Sequence, residues 1–267
     1  MISWLNKQTE IVVSQFDQSM DTYYPESMRY TKDPVVYLNQ VLTETNFHEA
    51  VKMVDWDRYL PRKGALLDLG GGIGWLSAYL SRMDCVDHIT FLDSCKYYVN
   101  HMLPNVFQQM SGIMDKVTPV EGLFYPLLLD DDSIDTVVVS AALHHVDNME
   151  TVLKEIYRIL KPGGFLLILN ESPYSTGPYL FLIVKKMIKL LGYVAFKQYR
   201  PVSHNVSASC VLVDPYLGDR AYPLWFLNKV IKTAGFTNTV KIDSGYSAMK
   251  SKRSPGPMLT HFACQKN

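Results

Sequence analysis

The chain has 267 residues, 48% of them hydrophobic, and balances 26 Lys plus Arg against 26 Asp plus Glu. That is apolar enough to exclude a disordered chain and long enough for one large α/β domain with appended segments. Zero net charge removes the global electrostatic case for nucleic acid or for a strongly acidic partner.

Residues 1–60 read as an N-terminal helical cap segment rich in aromatics, with "DTYYPESMRYTKDP" as its irregular middle. The opening "MISWLNKQTEIVVSQF" mixes polar residues too closely for a signal-peptide core. No run reaches the roughly 18 apolar residues that span a bilayer. Cys85, Cys95, Cys210 and Cys264 show no CxxC spacing and fit free thiols. Together these features predict a cytoplasmic chain.

Residues 61–170 alternate short apolar runs with helix-like segments. "ALLDL" precedes "WLSAYLSRM", and "HITFLD" precedes "KYYVNHMLPNVF". "KVTPVEG" and "SIDTVVVSAAL" follow, then the helix candidate "METVLKEIYRIL" and the strand "GFLLILN". Continuous apolar runs suit strands covered on both faces, and the alternation predicts a doubly wound, mostly parallel α/β sheet. "LKPGG" (160–164) reads as helix stop, turn and strand start.

Residues 171–221 break the pattern and read as an inserted substrate cap. Their helix "YLFLIVKKMIKLLGYVAF" is apolar on much of its circumference, with Lys185, Lys186 and Lys189 together. It reads as a cap helix packed on the core with its lysines in solvent, or else as a surface for a lipid or membrane. Residues 222–267 complete the core with the helix "PLWFLNKVIKTAGF" and strand candidates near 238–243 and 259–265.

The sharpest feature is "LLDLGGGIGW" (66–75), a glycine cluster directly after the first core strand. Glycine at such a turn lets backbone approach a ligand that a Cβ would push away. A dinucleotide site favours G-x-G-x-x-G, but counting from Gly70 puts Trp75 in the third place. The run fits G-x-G-x-G instead: Gly70, Gly72 and Gly74. Asp68 would repel a pyrophosphate and suit a cation such as the ammonium or sulfonium of S-adenosylmethionine. Asp93 ends the second strand 19 residues after Gly74, where a carboxylate can accept from both hydroxyls of a ribose or cap a helix. After the third strand, Glu121 could accept from an adenine amine, with backbone near Leu123 meeting the ring.

Taken in order, "LLDLGGGIGW", "FLD", "VEGLFYPLLLDDDSID", "VVVSAALHHV" and "ILKPGGFLLI" resemble the class I S-adenosylmethionine-dependent methyltransferases. Within that family they resemble most the branch of quinone-biosynthesis and small-molecule enzymes. The resemblance covers about residues 60–170 and implies a Rossmann-like, seven-stranded, mostly parallel sheet with helices on both faces and a reversed last hairpin. It implies S-adenosylmethionine as cofactor and methyl transfer to oxygen, nitrogen or carbon of a small-molecule acceptor. It places Asp68, Gly70, Gly72 and Gly74 on the loop around the methionine part, and Asp93 with Ser94 at the ribose. Glu121, Gly122 and Leu123 fall near adenine, and Ser140 and Ala141 where the fourth strand opens onto the cofactor. No nucleic-acid partner and no metal are expected, and a homodimer is compatible with this reading. The alternatives are an inactive methyltransferase-like binding subunit and a nucleotide-dependent oxidoreductase.

Four candidates for a general base follow. His144 and His145 lie just past the fourth strand, and Glu171 just past the fifth; His204 lies in the insertion. In extended backbone the two histidines would face opposite ways, which assigns His145 to the acceptor and His144 to packing. Tyr23, Tyr24, Tyr174, Tyr179 and Tyr199 suit a partly apolar pocket with hydroxyl handles, or the packing of a lid.

Overall fold

The computed structural model describes residues 2–14, 33–61, 63–195, 212–213, 220–253 and 256–267. Tyr23, Tyr24, Tyr199, His204 and Cys210 lie outside the described residues. The main sheet begins with β1 (Ile2–Ser3), β2 (Gly64–Leu69), β3 (Val86–Asp93), β4 (Val117–Glu121), β5 (Ile134–Ser140) and β6 (Leu160–Glu171). After a separate pair of β7 (Leu212–Val213) and β8 (Arg220–Ala221), it is completed by β9 (Asn238–Ser247) and β10 (Met258–Gln265). The strand order is β1-β4-β3-β2-β5-β6-β10-β9. Only β10 runs antiparallel to its neighbours, β6 and β9.

The sheet has eight strands where seven are expected, because the N-terminus adds one. Ile2 and Ser3 pair in parallel with Val120 and Glu121, and the Trp4 N–H donates to the Glu121 carbonyl at 2.8 Å. A second difference is at "LKPGG". Leu160 already pairs with Ile134, and Gly163 is carried inside β6 as an irregularity at φ 81°. The chain therefore passes from helix to strand with no intervening turn.

Period-two alternation divides the core between the two faces of the sheet. Leu67, Leu69, Val137, Val139 and Ile168 pack against α6 (Met149–Ile159) and α8 (Leu224–Thr233), while Leu66, Val138, Leu167 and Leu169 face the opposite layer. That layer consists of α1 (Pro34–Glu44), α2 (Phe47–Val51), α3 (Trp56–Tyr59), α4 (Trp75–Ser81) and α5 (Leu103–Met110). In α6 the buried Val152, Leu153, Ile156 and Ile159 follow helical spacing, and Asn148 caps its first turn by accepting from the Thr151 N–H. A 20-residue helix, α7 (Thr176–Ala195), follows β6. The chain leaves β2 outward to β3 and β4 and returns on its other side to β5, so a crevice forms beyond their carboxyl ends.

His261 of β10 ties this frame together. The Asn170 N–H donates to its Nδ1 at 3.0 Å, which leaves Nε2 to donate to the Ala50 carbonyl at 2.9 Å. Burial holds His261 below its ordinary pKa, against the opposing influence of the Ala50 carbonyl and Asp243. The unfolded chain therefore takes up this proton first, and stability falls as pH drops below about 6.5. His261→Leu strands two buried backbone groups and should cost about 2–4 kcal/mol. It should also flatten the acid slope, which urea denaturation near neutrality and near pH 5.5 would reveal. A variant with unchanged stability and slope would show that the histidine carries neither role.

Candidate active site

The glycine loop leaves β2 at Leu69 and reaches α4 at Trp75. Its glycines differ in what surrounds them. A Cβ at Gly70 would meet the Phe124 ring at 2.7 Å, and one at Gly71 or Gly74 would collide with Phe91 or Leu103. At Gly72 a Cβ would meet nothing within 4 Å, and φ is +58°. Three glycines are thus needed for packing, and Gly72 alone borders open space.

Asp93 shapes the loop from the next strand. Its Oδ2 accepts from the Gly72 N–H and its Oδ1 from the Cys95 N–H, each at 2.8 Å. Ser94 stands between these two contacts in the chain. Glu121 is paired in register with Asp93 and is buried, and the Gly122 N–H donates to the Asp93 carbonyl at 3.0 Å. Trp4 packs over Gly122, and Leu123 follows half-buried.

Asp68 lies beneath the loop, only 1% exposed. Its Oδ2 accepts from the Ser77 hydroxyl at 2.6 Å, while its Oδ1 has no partner among the described residues. Burial raises the Asp68 pKa to about 7; Ser77 opposes the shift and the Asp93 charge adds to it. A buried orphan acceptor below the loop and an unfilled space above Gly72 fit a ligand that presents cationic donors to this loop.

Beyond β5 and β6 lies a cavity of about 420 Å³, bordered by Ala141, His144, Asn170, Glu171, Arg220 and Tyr222. Ala141 holds φ +48° with its N–H on the Leu169 carbonyl, and its neighbour Ala142 lies against Gly70 of the loop. The Ser140 hydroxyl accepts from Asn170 Nδ2 at 3.0 Å. Asn170 Oδ1 is buried and has no partner among the described residues.

The histidines exchange places relative to expectation. Leu143–His145 forms a 3₁₀ turn rather than extended backbone, so the two rings sit side by side, 4.2 Å apart. His144 lines the cavity, with its Nδ1 3.3 Å from Glu171 Oε2. His145 is exposed and absent from the cavity wall, and its carbonyl accepts from Arg220 Nη1.

Glu171 is also placed differently: it is the last residue of β6, 2% exposed, rather than a residue just past the strand. Its carboxylate accepts from the Leu143 N–H at 2.9 Å and the Tyr222 hydroxyl at 2.7 Å, besides facing His144. Burial pushes its pKa up, but His144, Tyr222 and the Leu143 N–H outweigh burial and hold it below the usual range. Burial and the Glu171 charge drive Tyr222 well above its own ordinary value.

Sequence reasoning missed Ser77, Asn170, Arg220 and Tyr222. Tyr222 is 51 residues from its partner, so no local spacing marks it, whereas Asn170 could have been noticed beside Glu171 at the strand's end.

Residues 67–168 match the family model for a methyltransferase domain. The ubiquinone/menaquinone biosynthesis C-methyltransferase UbiE of Vibrio campbellii is 31% identical over 185 residues, which cover 65% of this chain and 64% of that relative. The chain thus spans less than two thirds of the relative's length. Among solved structures, a putative S-adenosylmethionine-dependent methyltransferase from Listeria monocytogenes superposes with a TM-score of 0.56 at 18% identity, over 83% of this chain and 98% of its own. A methyltransferase from Thermotoga maritima, titled a possible histamine N-methyltransferase, gives 0.52 at 17% identity, over 94% and 100%. At such identities the likeness is one of fold.

Tyr222→Phe removes one hydroxyl and leaves the ring in place. It deprives a buried carboxylate of a donor and should cost about 1.5–3 kcal/mol in chemical denaturation. Unchanged stability would mean that the hydroxyl does not serve Glu171.

Proposed function

We propose, on the premise that residues 67–168 form a domain of the class I S-adenosylmethionine-dependent methyltransferases, that this chain methylates a small-molecule acceptor held beside His144. The observation that supports the proposal is the open space at Gly72, flanked by Asp93, together with a cavity beyond Ala141 that contains an oriented imidazole. S-adenosylmethionine, when bound, supplies a methyl group already activated by its sulfonium.

The chain's own residues hold and align. Gly70, Gly72 and Gly74 let backbone pass close to the methionine part, above the orphan oxygen of Asp68. Asp93, with Ser94 beside it, takes the ribose hydroxyls. Glu121, with the backbone of Gly122 and Leu123, takes the adenine edge. Ser140 and Ala141 border the passage to the acceptor.

His144 is the general base for an oxygen or carbon acceptor. Glu171 on its Nδ1 side fixes the tautomer in which Nε2 carries the lone pair, and stabilises the imidazolium once a proton arrives. Glu171 and Tyr222 are positioning residues in this scheme, since neither needs to touch the acceptor. Asn170 Oδ1 accepts from a donor group of the acceptor and so selects it. The UbiE relative, a C-methyltransferase by name, supports carbon as the accepting atom. Residues 171–221 act as the substrate cap; Lys186 and Arg220 of this segment border the cavity.

Calorimetric titration with S-adenosylhomocysteine tests the cofactor half. Binding is expected, and Asp93→Asn should weaken it about tenfold or more. An intact Asp93→Asn variant with unchanged affinity would remove Asp93 from the site.

The proton step has its own test. His144→Ala should cut turnover by about 10²–10⁴ with S-adenosylhomocysteine affinity unchanged, while His145→Ala should change turnover little. The reverse pattern would restore His145 as the base.

A further inference from the structure

The helix α7 has two unlike faces. Tyr179 is buried against the protein, and Leu182 and Ile183 beside it are half-buried. Leu180, Phe181, Val184, Met187 and Ile188 are all exposed, Phe181 by 71% and Ile188 by 64%. At about 100° per residue these five fall in one arc of about 120°, on the side away from Tyr179. Isolated exposed apolar residues are ordinary on a protein surface, but a continuous stripe on one helix needs a partner.

The charge of the helix identifies that partner. Its sequence contains Lys185, Lys186 and Lys189 and no acidic residue, in a chain whose net charge is zero. Lys185 is exposed at the edge of the apolar arc, and Lys186 borders the cavity. No described helix is long and apolar enough to cross a membrane. An apolar stripe edged by lysine, on a helix that does not span, is the pattern of an interfacial helix lying in the plane of a bilayer.

We propose that α7 docks this chain onto an anionic lipid surface. Leu180, Phe181, Val184, Met187 and Ile188 enter the boundary between head groups and acyl chains, and Lys185 at their edge meets phosphate. Each lysine near such a surface contributes about 1 kcal/mol, which complements the burial of the apolar arc. Because Lys186 is on the same helix, docking brings the cavity close to the lipid. If the cavity is the acceptor site, a point that rests on the function proposed above, the acceptor is a lipid-dissolved molecule. The docking itself does not depend on that reading.

Flotation of the full chain with phosphatidylcholine vesicles, with and without phosphatidylglycerol, tests the proposal. Binding should require phosphatidylglycerol and weaken as salt rises. Phe181→Ser combined with Ile188→Ser should reduce the bound fraction about tenfold, and Lys185→Glu should reduce it measurably. S-adenosylhomocysteine titration of the same variants should be unchanged, which reports an intact fold and separates docking from the cofactor site. Three outcomes would overturn the proposal. One is a wild-type chain that ignores phosphatidylglycerol vesicles. Another is a double variant that binds them equally well. The third is a concentration-dependent dimer, dissolved by the same substitutions without vesicle binding, which would assign the face to a second copy.

Discussion

The carboxylate of Asp93 holds the glycine loop in the shape on which the candidate site depends. One oxygen takes the Gly72 N–H and the other the Cys95 N–H, so a single side chain joins the end of β3 to the loop leaving β2. Charge-assisted bonds of this kind are stronger than neutral ones. They act where the backbone runs through three positive-φ glycines and has few conformational constraints of its own. Gly70 and Gly74 are wedged against side chains, Gly71 against Phe91, and only Gly72 faces outward. The open space is therefore a consequence of where Asp93 pulls the chain, and Asp68 and Ser77 support the loop from below.

A second buried carboxylate organises the cavity beyond β5 and β6. Burying Glu171 as an anion costs several kcal/mol unless it is well supplied with donors. The fold supplies three: the Leu143 N–H, the Tyr222 hydroxyl and the His144 ring. These come from the 3₁₀ turn after β5 and from the segment entering α8, so the carboxylate fixes the geometry of elements distant in sequence. His144 thereby gains its orientation from a buried carboxylate.

Much of the fold was legible because its signals are local. The alternation of apolar runs and helical stretches, the G-x-G-x-G spacing and the strand-ending Asp93 each need only a short window. What was not legible depends on contacts across the chain. The two-residue β1 has no periodicity to read and exists through its pairing with β4. The placement of His144 and His145 turned on whether their backbone is extended or 3₁₀, which composition does not decide. Gly163 looked like a turn residue but is carried inside β6, next to a register shift. Asp68 carries a recognisable position, yet its burial beneath the loop follows from the packing of α4.

The most direct test of the site is a crystal structure grown with S-adenosylhomocysteine. If the loop and Asp93 form the cofactor seat, the ligand lies over Gly72 with its ribose hydroxyls on the Asp93 carboxylate and its sulfur turned toward the His144 cavity. A ligand seated away from Gly72, or one whose ribose makes no contact with Asp93, would contradict the assignment.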